Sequence, residues 1–139
     1  MDYPYRTELI RQVDLDDLAA EVYRLGWEYP GHQNEARHGG VCFYRLGDAM
    51  CIVGTALNRL EWRDYELEAL GSTGFRRLLL DAGRGDEQDS PAARFIGITQ
   101  SHQDIGDPWG EAVQRAADEV GYSPPTEPTP EPAGQEVLA

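Results

Sequence analysis

Apolar residues recur at helical spacing along most of this chain, and glycine closes several of the runs. One run covers residues 15–25, follows Asp14, which suits a helix N-cap, and stops at Gly26. The last run covers residues 109–120 and stops at Gly121. A helix of this kind carries one apolar stripe, which must be buried against other elements. The pattern therefore predicts a mainly α-helical fold.

Shorter segments fill the space between these two runs. Further helices are predicted over residues 51–60, 63–70, 75–80 and 91–105. Asp107 followed by Pro108 predicts the cap of the last helix. Residues 5–13 alternate weakly and fit either a strand or a helix, whereas residues 41–44 are β-prone and precede a turn at residues 46–48. We expect one small globular domain of about five helices with a small β element.

The end of the chain has a different composition. Five prolines lie between Pro124 and Pro132, and they favour an extended polyproline conformation over helix or sheet. This change divides the chain into an acidic helical domain, residues 1–122, and a Pro- and Glu-rich extended tail, residues 123–139. The tail is either a solubilising extension or a segment that reaches a neighbouring subunit.

The charge balance argues against several classes of function. Twelve basic residues face 25 acidic ones, which leaves a formal net charge of −13. Direct binding to nucleic acid or to an anionic membrane needs a basic surface. No apolar run approaches the roughly 18 residues of a membrane span, and the charged N-terminus does not fit a signal peptide. With only two cysteines, we expect a cytoplasmic protein with reduced thiols.

Several segments of the chain carry a resemblance. All 12 basic residues are Arg, which indicates a GC-rich genome because lysine codons are AT-rich. Residues 42–44, 51–57, 100–104 and 109–113 resemble a group of small uncharacterised proteins from actinobacteriophages and their hosts. The resemblance covers roughly residues 14–120 and implies a phage or actinobacterial origin. The group carries no established activity, so no catalytic residue is implied.

Cys51 is a candidate nucleophile because a cysteine in the first turn of a helix has a lowered pKa. A cysteine hydrolase also needs a base, for which His102 would have to serve. Small buried cysteines beside aliphatic residues are common in protein cores, and Ile52 and Val53 follow Cys51 directly. Core packing is the favoured interpretation of Cys51.

Four residues include donor atoms suited to zinc: His32, His38, Cys42 and Cys51. Their spacings of six, four and nine residues match no compact zinc motif. Histidines in a glycine-rich loop are more often simply exposed to solvent. We therefore predict no metal and no other cofactor.

A polar group lies near the end of the chain: Gln100, Gln103, Asp104 and Trp109. The favoured interpretation is a structural network in a helical corner, with the Trp109 indole N–H as a donor. The alternative is that the same side chains line a binding pocket.

The combined features favour a small acidic, non-catalytic protein that binds another protein. Its acidity suits a partner with a basic surface, and its origin suits a phage accessory protein that acts on a host or defence protein. Phosphate-binding Gly-Lys-Ser/Thr loops and Gly-x-Ser-x-Gly motifs do not occur. Two alternatives stay open: an assembly protein of a phage particle, acting as a homo-oligomer, and a small hydrolase using Cys51 and His102.

Overall fold

The computed structural model describes residues 4–124 of the chain. Within this range there are seven α-helices, and the prediction of a mainly helical small domain is confirmed with more helices than the expected five. The helices are α1 (Pro4–Arg11), α2 (Leu15–Glu28), α3 (Ile52–Arg59), α4 (Asp64–Ala69), α5 (Phe75–Asp81), α6 (Pro91–Asp104) and α7 (Trp109–Val120). The predicted tail, residues 123–139, lies outside the described residues except for its first two positions.

The first helices differ from the prediction in two places. The ambiguous segment 5–13 contributes to α1, a helix, and not to a strand. Gly26 was predicted to end its helix, but α2 continues past it to Glu28. A Cβ atom at Gly26 would lie 2.6 Å from Val113 Cγ2, so this glycine allows α2 and α7 to approach closely.

Two short hairpins replace the single β element that was predicted. Strands β1 (Arg37–His38) and β2 (Val41–Cys42) pair antiparallel, and so do β3 (Arg45–Leu46) and β4 (Ala49–Met50). Gly39 and Gly40 join the first pair with φ angles of 58° and 81°, the left-handed region that tight hairpin turns require. Strands of two residues are too short to show alternation in a sequence.

Helix α6 lies at the centre of the domain, where it packs against α2, α3, α5 and α7. Its apolar side chains Phe95 and Ile96 are fully buried in the main core. No helix within residues 4–124 has the length and apolar character needed to cross a membrane. The outer helices and the hairpins therefore supply the surfaces on which a site can lie.

Candidate functional site

The turn that follows α2 lies across the start of α7. The backbone N–H of Trp109 donates to the carbonyl oxygen of His32 (2.8 Å), and that of Gly110 donates to the carbonyl oxygen of Pro30 (3.0 Å). The first amides of a helix have no partner inside it, so these loop carbonyls take the place of a side-chain cap. The same two contacts hold residues 29–32 against α7.

Asp107 does not cap α7, and that prediction is wrong. Pro108 is the N-cap residue and no side chain bonds to the first turn. The Asp107 carboxylate lies instead 3.7 Å from His102 Nδ1 and 3.7 Å from Arg115 Nε. The backbone of the loop had already satisfied the amides that Asp107 was expected to bind.

A cavity of about 290 Å³, the Tyr29 pocket, opens beside this turn. Its lining residues are Tyr29, His32, Glu35, Asp48, Ala49, Met50, Thr55, Arg59 and Trp109. The His32 and Trp109 rings meet edge to face with centroids 4.4 Å apart, and Tyr29 is 50 % exposed. His32, considered as a metal ligand, and Trp109, considered for the polar network, therefore come together as aromatic walls of a pocket.

The charge inside the Tyr29 pocket is negative. Its one arginine, Arg59, is already compensated by Glu28 (2.8 Å) and Glu21 (3.2 Å), and its guanidinium lies 5.9 Å from the centre of the Tyr29 ring. Glu35 has no ion pair among residues 4–124. Asp48 is fully exposed and lies 3.7 Å from the Arg45 guanidinium. Two carboxylates of the pocket thus remain uncompensated or only weakly compensated.

A second cavity, the Trp27 groove, has a volume of about 340 Å³ and lies between α2 and α7. It is lined by Gly26, Trp27, Pro30, Gly110, Val113 and Gln114, and Trp27 is 47 % exposed. A Cβ atom at Gly110 would lie 2.7 Å from Pro30 Cβ, so this glycine allows the turn after α2 to pack against the start of α7. The lining is mostly apolar, in contrast to the Tyr29 pocket.

The two cavities share a wall. Tyr29 and Trp109 line the pocket, and their immediate neighbours Pro30 and Gly110 line the groove. We call the pocket and the groove together the aromatic acidic face. This face contains two of the large hydrophobic side chains that stay exposed in the described part of the chain, Trp27 and Tyr29.

Gln100 and Gln103 do not line a pocket of this face; they tie helices together. Gln103 is fully buried, and its Oε1 accepts from the backbone N–H of Ile52 (2.8 Å) at the start of α3. Gln100 Oε1 accepts from the backbone N–H of Phe75 (2.9 Å) at the start of α5. Gln103 Nε2 also donates to Asp104 Oδ1. Gln103 and Asp104 are thus hydrogen-bonded to each other, whereas Gln100 and Gln103 each bind the N-terminus of a different helix.

Trp109 does not belong to that network, contrary to the prediction. Its side chain is 4 % exposed, and its Nε1 has no hydrogen-bond partner among the described residues. The turn of the chain after α6 directs the indole toward His32 and the Tyr29 pocket. Its burial was correctly expected from the sequence, but its neighbours were not.

The structure places Cys51 in the core. Its side chain is 2 % exposed, and Sγ accepts from the backbone N–H of Gly54 (3.3 Å) as the N-cap of α3. Burial raises the pKa of Cys51 to about 12, because the thiolate would lose its hydration. His102 Nε2 lies 3.0 Å from Glu119 Oε2. This geometry offers no support for a hydrolase in which His102 activates Cys51.

The raised pKa of Cys51 leads to a test with a thiol reagent. We expect the native chain at pH 8 to show at most one reactive thiol, that of the partly exposed Cys42, while urea exposes both. Cys51→Ala should lower the free energy of unfolding by about 1–2 kcal/mol, because it removes a buried sulfur that also accepts from the Gly54 N–H as the N-cap of α3. Rapid alkylation of Cys51 in the folded protein at neutral pH would contradict this and revive the hydrolase alternative.

The four candidate metal ligands are not brought together. Cys42 is half-buried, and its thiol donates weakly to the backbone carbonyl oxygen of Asp104 (3.9 Å). Desolvation raises the pKa of the Cys42 thiol and that of the Asp104 carboxyl group. His38 is exposed on β1, and His32 packs on Trp109. Within residues 4–124 no three side chains of His, Cys, Asp or Glu are grouped as metal ligands would be.

A larger open cavity of about 770 Å³ lies where the link between α1 and α2 meets the start of α6 and the residues after α7. Several of its polar groups already have structural partners. Arg84 Nη1 donates to the carbonyl oxygens of Ile10 (2.9 Å) and Val13 (2.7 Å), and Nη2 pairs with Glu87 (2.7 Å). Asp14 and Ser90 cap α2 and α6. The buried hydroxyl of Tyr122, which also lines this cavity, has no hydrogen-bond partner among the described residues.

No protein-family model, curated protein or solved structure matches this chain. The candidate site therefore rests on its own geometry. Sequence reasoning missed Trp27, Tyr29, Glu35 and Asp48 as members of one surface. The available signal was local: two aromatic residues at the end of a helix, directly followed by Pro30 and Gly31 in a turn, where they are difficult to bury.

Proposed function

We propose that this protein is a non-catalytic binding module whose aromatic acidic face docks onto a basic surface of another protein. The observation that carries the proposal is the exposure of Trp27 and Tyr29 on either side of a shared wall between two cavities. Aromatic residues are enriched at protein interfaces because a large, rigid ring buries much area at little entropic cost. Exposed aromatic rings that rim cavities are typical of such surfaces.

The charge around this face supports a basic partner. Six carboxylates belong to the pocket or to the ion pairs that adjoin it: Glu21, Glu28, Glu35, Asp48, Asp64 and Glu68. They face three guanidiniums, those of Arg24, Arg45 and Arg59, which leaves a local charge of −3. Charge of one sign around a binding surface steers an oppositely charged partner and speeds association.

We further propose a phage or actinobacterial origin for the chain and a host or defence protein as its target. The absence of lysine and the resemblance to actinobacteriophage proteins support this part of the proposal. A DNA-binding protein has the required basic surface, and an acidic module that covers it would compete with nucleic acid.

The proposal can be tested by affinity capture from a high-GC actinobacterial lysate. We expect the full chain to retain a set of basic proteins at low salt and to release them as salt rises, since the Debye length falls to about 8 Å at physiological ionic strength. The double variant Trp27→Ser/Tyr29→Ser should lose these proteins, because it removes the aromatic part of the face. Mass spectrometry of the eluates measures both effects.

A matched control uses an exposed apolar residue that does not line either cavity. Leu80 on α5 is 47 % exposed, as Trp27 is, so Leu80→Ser removes an exposed apolar side chain elsewhere. This variant should retain the same proteins as the unchanged chain. Equal capture by the control and the double variant, or capture that does not change with salt, would count against the proposed function.

A further inference from the structure

We infer that the aromatic acidic face takes a segment in which a basic side chain enters the Tyr29 pocket and an apolar side chain two positions away enters the Trp27 groove. The inference rests on the proposed function and specifies the chemistry of its partner. It follows from the different linings of two cavities that share one wall, formed by Tyr29–Pro30 and Trp109–Gly110.

The Tyr29 pocket suits a single cationic side chain. Its volume of about 290 Å³ lies just below the range of cavities that hold drug-sized ligands, so one side chain is a better match. Glu35 and Asp48 supply negative charge at its rim, and Tyr29 and Trp109 supply aromatic walls. Cations are stabilised over aromatic rings. The pocket's own cation, Arg59, is paired with Glu21 and Glu28, so it does not neutralise Glu35 and Asp48.

The Trp27 groove suits an apolar side chain. Trp27, Pro30 and Val113 provide most of its lining, and Val113 and Pro30 pack directly against Gly26 and Gly110. Tyr29 and Pro30 are consecutive, as are Trp109 and Gly110, so both cavities border the same junction between the turn after α2 and the start of α7. Side chains two positions apart in an extended segment point to the same face and lie about 6.6 Å apart, so one can enter each cavity.

Charge disfavours two occupants that this chain could itself provide, its C-terminal segment and a second copy bound through the same face. The C-terminal segment beyond Pro124 contains Glu127, Glu131 and Glu136 and no basic residue. A second copy that docked through the same face would bring its own acidic surface against the first, as the symmetry of such a contact requires. The occupant that fits the charge is a segment of a different protein, with an Arg or Lys two positions from an apolar residue.

The three tryptophans of the chain provide the test, since each indole N–H gives its own NMR signal. Trp27 lines the groove, Trp109 lines the pocket, and Trp62 lies near Leu57 and Leu60 in another part of the fold, where it serves as an internal control. The full ¹⁵N-labelled chain is titrated with acetyl-Leu-Gly-Arg-amide at low salt. A second titration uses the same peptide with Lys in place of Arg. The three indole signals are assigned with single Trp→Phe variants.

We expect the arginine or lysine peptide to shift the signals of Trp27 and Trp109 in a saturable way and to leave Trp62 unchanged. The isosteric citrulline peptide, which lacks the charge, should lose the Trp109 shift. A peptide with Ser in place of Leu should lose the Trp27 shift. The variant Glu35→Gln/Asp48→Asn should raise the dissociation constant about three- to tenfold, as expected for two exposed ion pairs.

Failure of this inference differs from failure of the proposed function. Equal shifts with the citrulline peptide, equal shifts at Trp62, or no saturable shift would overturn the two-cavity recognition. If proteins are nevertheless captured by the unchanged chain and lost by Trp27→Ser/Tyr29→Ser, the proposed function stands without it. If the peptides bind as expected but no captured protein depends on Trp27 and Tyr29, the recognition chemistry stands and the proposed function fails.

Discussion

Trp109→Ala is expected to lower the free energy of unfolding by about 3–5 kcal/mol. The indole is 4 % exposed at the first position of α7, where it packs against His32 and forms a wall of the Tyr29 pocket. Its removal leaves a cavity at the junction between the turn after α2 and α7. Domains of this size have a total stability of about 5–15 kcal/mol, so a large part would be lost. Urea unfolding followed by circular dichroism measures the change.

Two further substitutions make the result specific. Trp109→Phe should cost much less than Trp109→Ala, because Nε1 has no partner to lose among the described residues and most of the ring volume is retained. Trp62→Ala, at a half-buried indole on the edge of the core, should also cost less. If Trp109→Ala kept its melting temperature and lost only partner binding, Trp109 would be an interface residue and its role in the core would be disproved.

Gly54→Ala is expected to destabilise the domain by about 3 kcal/mol or more, although Gly→Ala in a helix ordinarily stabilises it by about 1 kcal/mol. A Cβ atom at Gly54 would collide with the backbone carbonyl oxygen of Tyr44. That oxygen accepts from the backbone N–H of Cys51 (3.1 Å), so it is held where it is. Tyr44 is itself 1 % exposed, and its hydroxyl donates to the carbonyl oxygen of Thr73 (2.8 Å). Thermal and urea unfolding both report the loss.

Gly97→Ala in α6 is the matched control. Its Cβ atom would meet only the side chain of Arg76, at 3.0 Å from Cγ and 3.2 Å from Cδ, and that flexible side chain can move. We expect its stability to stay within about 1 kcal/mol of the unchanged chain. If both substitutions had the same effect, the close approach of α3 to Tyr44 would not be what requires a glycine at position 54.

The sequence was a good guide to burial at individual positions and a poor guide to neighbours. Cys51 beside Ile52 and Val53 was correctly expected in the core, because the burial of an apolar run can be predicted from its own residues. Trp109 was also expected to be buried, yet its contact with His32 joins positions 77 residues apart. Gln100 and Gln103 were expected in a local network, but they bind the starts of α5 and α3. Such long-range contacts leave no periodic pattern in the chain.

The sequence by itself determined the helical class, most of the helices and the acidity, because periodic apolar spacing, proline positions and charge are local properties. Only the tertiary structure decided where the helices meet and what lies between them. Gly26 reads as a helix end in the sequence and is a point of close packing with Val113 in the fold. The Tyr29 pocket combines the end of α2, the second hairpin, α3 and the first residue of α7. No single segment encodes that face, because it exists only when packing brings the four together.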